Sequence, residues 1–118
     1  MWIMLNKSFL SIVDMSAADG NGHNKKPEPT DMLIVRARLA GDIKQVFKDA
    51  RVVCTPRRDY RYRALLPRSV VAEAIANEVM KIDYGNFKNS VNDDDRHDAY
   101  SDIWSVMYRL QNKFAVNK

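Results

Sequence analysis

Two short apolar runs separated by a polar connection open the chain. Residues 2–5 and 9–13 are mostly apolar, and Asn6-Lys7-Ser8 between them has the small polar residues of a tight turn. This pattern predicts a β-hairpin. From 16 to 31 the apolar periodicity stops and two prolines appear, so we expect a flexible surface loop there. A loop of this length in a small domain is either functional or an insertion.

The middle of the chain predicts three strands and one short helix. Residues 32–39 alternate between apolar and other side chains, and arginines appear on the second face. Asp42 is placed to cap an amphipathic helix whose apolar residues recur at helical spacing as far as Ala50. Residues 51–55 and 60–66 then flank a turn, which predicts a second hairpin.

The last third of the chain predicts helices. Apolar residues recur at helical spacing from Ser69 to Ile82 and from Asp94 to Phe114, with one further short turn between them. Strands joined by hairpins favour an antiparallel sheet, and the helices need a sheet face to cover. We therefore expect a single α+β domain over 1–118, with an antiparallel sheet of about five short strands and three or four helices packed mainly on one face. The strand order stays open.

Length and cysteine content set the broad class. The chain has 118 residues, of which 46% are apolar, and this fits one domain with its own core. Cys54 is the single cysteine, and its place in an apolar strand predicts an inert core thiol. The chain has no disulfide framework, no signal-peptide pattern and no long apolar run. We therefore expect a cytoplasmic protein that makes no membrane contact.

The positive charge of the chain is concentrated in its middle third. Residues 1–35 carry a balance of −1, residues 36–68 a balance of +7 and residues 69–118 a balance of −2, which sum to the net +4. The sequence therefore predicts a bipolar molecule whose basic part is a candidate surface for an anionic partner.

The first candidate site is the basic, tyrosine-bearing segment 57–68. A period of two places Tyr60 and Tyr62 on one face of its strand and arginines on the other. Arginines suit phosphates, whereas tyrosines suit stacking on unpaired bases, and a solvated sheet exterior over a tyrosine core explains the same pattern. We favour arginines outside, because the preceding strand can add its own arginines only there. The predicted polyanion-binding residues are Arg36, Arg38, Arg57, Arg58, Arg61, Arg63 and Arg68.

The second candidate site is the acidic segment around the start of the last helix. Its carboxylates and imidazole are ligands for a hard or borderline cation, and the candidate set is Asp94, His97, Asp98 and Asp102. The His97-Asp98 pair resembles the metal-binding pair of HD-type phosphohydrolases, which need further histidines, whereas the only other histidine here is His23. Acids that cap a solvated helix explain the same pattern.

The third candidate is aromatic. Tyr100, Trp104 and Tyr108 run beside the aliphatic stripe of the last helix, which makes the helix apolar over a wide arc. Such rings occur in core packing and at subunit interfaces, so a homodimer is one alternative.

Several stretches together resemble a family of small bacterial conserved hypothetical proteins. They are MWIMLN at 1–6, FLSIV at 9–13, LIVRAR at 33–38, DYRYR at 59–63, IDYGNFK at 82–88 and HDAY at 97–100. The resemblance covers nearly the whole chain, with the 16–31 loop as the part expected to vary. It implies a bacterial protein, and it carries over no activity, ligand or catalytic residue.

The sequence thus favours a non-enzymatic binding or regulatory module without a cofactor. Its expected partner is a nucleic acid or an acidic protein, contacted through the arginines. A metal-dependent enzyme or metal protein built on the acidic segment is one alternative. A homodimeric scaffold or inhibitor that acts through the last helix is the other.

Overall fold

The computed structural model describes residues 1–16 and 28–115. The predicted loop at 16–31 falls mainly on residues 17–27, which lie outside the described part. The chain divides into two compact units, Met1–Ile82 and Asp83–Lys118, and each is described by itself. The α+β class is confirmed, because the described residues form a five-stranded antiparallel sheet and three α-helices.

All five strands lie in the first unit. They are β1 (Trp2–Met4), β2 (Phe9–Asp14), β3 (Met32–Ala37), β4 (Val53–Cys54) and β5 (Tyr62–Pro67), in the spatial order β1-β2-β3-β5-β4. The two predicted hairpins, β1–β2 and β4–β5, are confirmed. The strand order follows because β5 pairs with β3 along its whole length, from Met32 opposite Pro67 to Ala37 opposite Tyr62.

Two helices cover one face of this sheet. They are α1 (Asp42–Val46) and α2 (Arg68–Met80), and both contact β3 and β5. The core between helices and sheet consists of alternating strand residues and one face of each helix: Leu10, Ile12, Leu33, Val35, Ala37, Ile43, Phe47, Ala50, Ala64 and Val71. The opposite face of the sheet therefore holds the other half of the alternation, including the arginines of β3 and β5.

The helix cap predicted at Asp42 is wrong by one residue. Gly41 occupies the N-cap position with φ of 88°, a left-handed conformation that glycine adopts without strain. Asp42 is instead the first residue of α1 and is buried, and its Oδ2 accepts a hydrogen bond from the backbone N–H of Phe9 at 3.0 Å. The carboxylate therefore joins α1 to strand β2 rather than closing its own helix.

A second carboxylate joins the chain on both sides of residues 17–27. Asp14 accepts hydrogen bonds from the backbone N–H groups of Ser16 (3.0 Å) and Thr30 (2.9 Å) and from the guanidinium of Arg68 at 2.7 Å. The bonds from Ser16 come first among the causes that lower the pKa of Asp14 to about 2, and those from Thr30 follow.

The second unit consists of a 3₁₀ turn at Lys88–Ser90 and the long helix α3 (Asp94–Ala115). Asp93 caps α3, because its carboxylate accepts a hydrogen bond from the backbone N–H of Arg96 at 2.8 Å. Phe87 stacks on the buried ring of Tyr100, with centroids 5.7 Å apart. No helix in the described residues has the length and apolarity needed to cross a membrane.

Candidate functional site

The register of the sheet brings two arginines together on the face opposite the core. Arg36 in β3 lies directly opposite Arg63 in β5. Directly paired residues of antiparallel strands project to the same side, with their Cβ atoms about 4.5–5.5 Å apart. Ser11 in β2 continues the same row next to Arg36. The prediction that arginines of both strands share one face is therefore confirmed for this pair.

Arg36 is fixed in place by polar and aromatic contacts. Its Nη2 donates to Oγ of the buried Ser11 at 2.7 Å, and its guanidinium carbon lies 4.5 Å from the centroid of the Tyr60 ring. Arg38 contacts the same ring at 4.3 Å and donates to the backbone carbonyl of Asp59 at 2.9 Å. Tyr60 is only 4% exposed, so it orders two guanidinium groups by cation–π contact.

The positive charge of Arg63 has fewer stabilising contacts than that of Arg36. Its side chain is 17% exposed, and Nη2 lies 3.6 Å from Oδ1 of Asp59, a solvated carboxylate. Burial lowers the pKa of Arg63 most, the charges of Arg58 and Arg36 lower it further, and Asp59 opposes the shift. In the described part of the chain, the buried Nε atoms of Arg63 and Arg36 both lack a hydrogen-bond partner. The pair is therefore a partly desolvated concentration of positive charge.

We call the surface formed by Arg36, Arg38, Arg58 and Arg63 the arginine face. Arg57 and Arg61 are exposed in the connection between β4 and β5, close in sequence to this face. The structure places Arg68, which is also among the predicted polyanion-binding residues, apart from this face. It lies at the other end of β5, where its guanidinium binds Asp14 at 2.7 Å and the carbonyl of Thr30 at 2.8 Å, so its charge is neutralised locally.

The tyrosines do not form a stacking platform for bases. Tyr62 projects toward the helices and packs against the hydrophobic core. Tyr60 precedes β5 rather than belonging to it, and it lies under Arg36 and Arg38 on the arginine side. The expectation that both tyrosines share one face is therefore wrong, because the strand alternation begins only at Tyr62.

The acidic segment shows no metal-site geometry. No group of three or more His, Cys, Asp or Glu side chains within residues 1–16 and 28–115 is placed to hold a cation. Nδ1 of His97 lies 3.8 Å from Oδ1 of Asp98, and Asp94, Asp98 and Asp102 are exposed along α3. The capping bond from Arg96 to Asp93 gives the acidic helix start a structural role.

The aromatic side of α3 is only partly available to a partner. Tyr100, one of the predicted interface residues, is 4% exposed and its ring stacks on Phe87 within its own unit. Trp104 and Tyr108 are about half exposed, and their rings stack at 5.1 Å. Lys88 lies over the Trp104 ring at 4.3 Å. These two rings form an ordered, solvent-facing aromatic pair.

Cys54 and a small cavity are two further places where an enzyme could hold a nucleophile or a substrate. Cys54 is exposed in the edge strand β4, so the prediction of a core thiol is wrong. A cavity of about 200 Å³ near Gly41 and Tyr62 has mostly apolar walls. This volume is below the roughly 300–1,000 Å³ of typical small-molecule sites. Neither feature supplies a constellation for catalysis.

Trp2 and Ser11 lie in the same row of paired residues as Arg36 and Arg63, and neither is among the predicted site residues. Ile3 packs against the core, so alternation alone places Trp2 on the arginine side. The position of Ser11 beside Arg36 follows from the pairing of β2 with β3, which the hydrophobic pattern does not predict.

In comparisons with known proteins, no family model, no curated protein and no solved structure matches the chain.

Proposed function

We propose that this protein is a non-enzymatic binding module that holds a polyanionic partner on its arginine face. The observation that carries the proposal is the pairing of Arg36 with Arg63 across two neighbouring strands. Their guanidinium groups form paired, charge-assisted hydrogen bonds with phosphate or carboxylate oxygens more readily than lysines do.

The electrostatics of the arginine face support the same proposal. Desolvation and like charges lower the pKa of Arg63, which means that its positive charge is disfavoured where it lies. An anion bound between Arg36 and Arg63 would remove that penalty and supply acceptors to guanidinium N–H groups. The rigid setting of Arg36 and Arg38 on Tyr60 reduces the side-chain entropy lost on binding.

A binding series with arginine variants tests this function. A fluorescent single-stranded oligonucleotide and fluorescent heparin are titrated with the full chain at low salt, and anisotropy is recorded. We expect Arg63→Met to weaken the binding of both by about tenfold or more, since a charged hydrogen bond contributes about 1.5–3 kcal/mol. Arg58→Gln is expected to have a smaller effect in the same direction.

Arg68→Gln is the matched control, because it removes an arginine at the start of α2 that is already neutralised by Asp14. Its affinity for both polymers is expected to stay within about twofold of the wild type. Equal losses in Arg63→Met and Arg68→Gln would mean that net charge rather than the arginine face determines binding. No binding of either polymer at tens of micromolar protein would remove the proposed function.

We propose a second, independent role for α3, self-association with a second copy of the chain. Ile103, Met107, Leu110 and Phe114 follow one another at spacings of four, three and four residues, and they are 37–67% exposed. This is the spacing of the apolar seam in a coiled coil. Such an exposed stripe on a helix is typical of an interaction surface.

Charge along α3 favours an antiparallel pair. The first half of the helix carries four carboxylates (Asp94, Asp95, Asp98 and Asp102) against one arginine, Arg96. The second half carries Arg109 and Lys113. An antiparallel arrangement places the acidic half of one copy beside the basic half of the other, whereas a parallel arrangement places like charges together.

Light scattering after gel filtration, at protein concentrations up to the millimolar range, tests self-association. We expect a concentration-dependent rise toward twice the monomer mass, and its loss in Met107→Lys. Asn112→Lys is the matched control, because it adds the same charge on a part of the helix that faces away from the seam. A monomer at every concentration would contradict this role.

A further inference from the structure

A single row of side chains crosses all five strands on the arginine side of the sheet. The pairing register places Trp2 opposite Ser11, Ser11 opposite Arg36, Arg36 opposite Arg63, and Arg63 opposite Val53. Paired residues of an antiparallel sheet project to the same side. The row therefore runs at right angles to the strands, with an aromatic ring at one end and two guanidinium groups near its centre.

Trp2 is a large aromatic side chain without cover. It is 72% exposed, although it belongs to a strand whose next residue, Ile3, packs against the core. Phe9 supports it edge-to-face, with ring centroids 6.0 Å apart and planes at 82°. This contact restrains the indole while leaving most of its surface in solvent. An ordered, exposed indole on a sheet is suited to stack with a planar partner.

The spacing along the row suits a short stretch of an extended polymer. Neighbouring strands lie about 4.8 Å apart, so Trp2 is roughly 10 Å from Arg36 and roughly 14 Å from Arg63 at the level of the backbone. A ligand that contacts all three must carry a planar group near one end and anionic groups farther along this length. Single-stranded nucleic acid has that composition, because each nucleotide carries one base and one phosphate.

We propose that single-stranded nucleic acid lies along this row, with a base stacked on Trp2 and phosphates on Arg36 and Arg63. This inference rests on the proposed function and names the class of polyanion. An acidic protein segment would use the arginines but give the exposed indole no planar partner. A duplex keeps its bases paired and stacked, so it presents none to the indole.

Intrinsic fluorescence gives a direct readout of the stacking. The chain has two tryptophans, and in a Trp104→Phe background the emission reports on Trp2 alone. Addition of a twelve-residue oligo-dT at low salt is expected to quench this emission saturably, with the Kd measured by anisotropy. Heparin, which has no bases, is expected to bind without comparable quenching.

Replacement of Trp2 distinguishes the contribution of base stacking to the affinity from the contribution of charge. Base–aromatic stacking contributes about 1–3 kcal/mol per base, so Trp2→Leu is expected to weaken oligo-dT binding by about 5–150-fold. Heparin affinity is expected to stay within twofold, and Trp2→Phe should recover part of the oligo-dT affinity. Because Trp2 is largely exposed, Trp2→Leu should keep the circular dichroism spectrum and unfolding midpoint of the wild type.

Each remaining outcome contradicts either the stacking of a base on Trp2 or the polyanion binding on which that stacking depends. Oligo-dT binding without quenching and without loss in Trp2→Leu would overturn the stacking and leave the polyanion function in place. The same conclusion would follow if duplex DNA or poly-glutamate bound as tightly as oligo-dT. If neither oligo-dT nor heparin bound, both proposals would fall together.

Discussion

Replacing Arg63 with methionine tests whether the arginine pair destabilises the free protein. The substitution keeps most of the apolar stem and removes the guanidinium, whose Nε is buried without a hydrogen-bond partner in the described structure. An unsatisfied buried donor costs about 1–3 kcal/mol. The ion pair lost with Asp59, at 3.6 Å and with a carboxylate that is 69% exposed, contributes only about 0–1 kcal/mol.

The balance of these terms predicts a more stable variant. Arg63→Met should raise the free energy of unfolding by about 1 kcal/mol, which corresponds to roughly 3–6 °C in the midpoint of thermal unfolding for a chain of this size. Arg36→Met should do the opposite. It also removes a buried Nε without a partner, but it breaks the 2.7 Å bond to Oγ of the buried Ser11 and the cation–π contact with Tyr60, for a net loss of about 1 kcal/mol.

Thermal and urea unfolding, followed by circular dichroism, measure both changes. Arg61→Met is the control, because Arg61 is exposed and its loss should change stability by no more than about 0.5 kcal/mol. Destabilisation by Arg63→Met, or no change in Arg36→Met, would refute the assignment of an unsatisfied charge to Arg63 and of a structural anchor to Arg36.

Three further predictions concern carboxylates. Asp42→Ala should lower the free energy of unfolding by about 1–3 kcal/mol in urea titrations, because the part-buried N–H of Phe9 loses its acceptor. Hydrogen bonds from Ser16 and Thr30 lower the pKa of Asp14 from its usual 3.8 to about 2. Its stabilisation is therefore present above the usual value and is lost as the pH falls through about 2, and Asp14→Asn should flatten that part of the stability profile. Asp93→Ala should cost about 0.5–2 kcal/mol by removing the cap of α3, as measured by unfolding, whereas the exposed Asp95→Ala should cost less.

Hydrophobic periodicity predicted the strands and helices that depend on residues close together in the sequence. The first hairpin, strand β3 and helix α3 follow from alternation or helical spacing, and the structure confirms them. The α1 helix is shorter than predicted, ending at Val46, although Phe47 and Ala50 still reach the core. Spacing identified the apolar residues correctly, but it does not distinguish a helix from an irregular segment packed on the same core.

The misplaced residues are those whose partners are distant in sequence. Asp42 was predicted to cap its own helix, yet its partner is the amide of Phe9, 33 residues away. Arg68 was counted with the other arginines because it is near them in sequence, whereas it binds Asp14 across the sheet. Sequence spacing predicts which residues are chemically equipped for a site, and only the strand order shows which of them meet.

The salt dependence of oligo-dT binding tests the central claim most directly. Each phosphate contact on a single strand contributes about −0.7 to the slope of log K against log salt concentration, so about four arginine contacts give a slope near −3. We predict that slope for the wild type and for Arg68→Gln, with a slope less steep by about 0.7 in Arg63→Met. A wild-type slope near zero, or one that Arg63→Met leaves unchanged, would contradict polyanion binding on the arginine face.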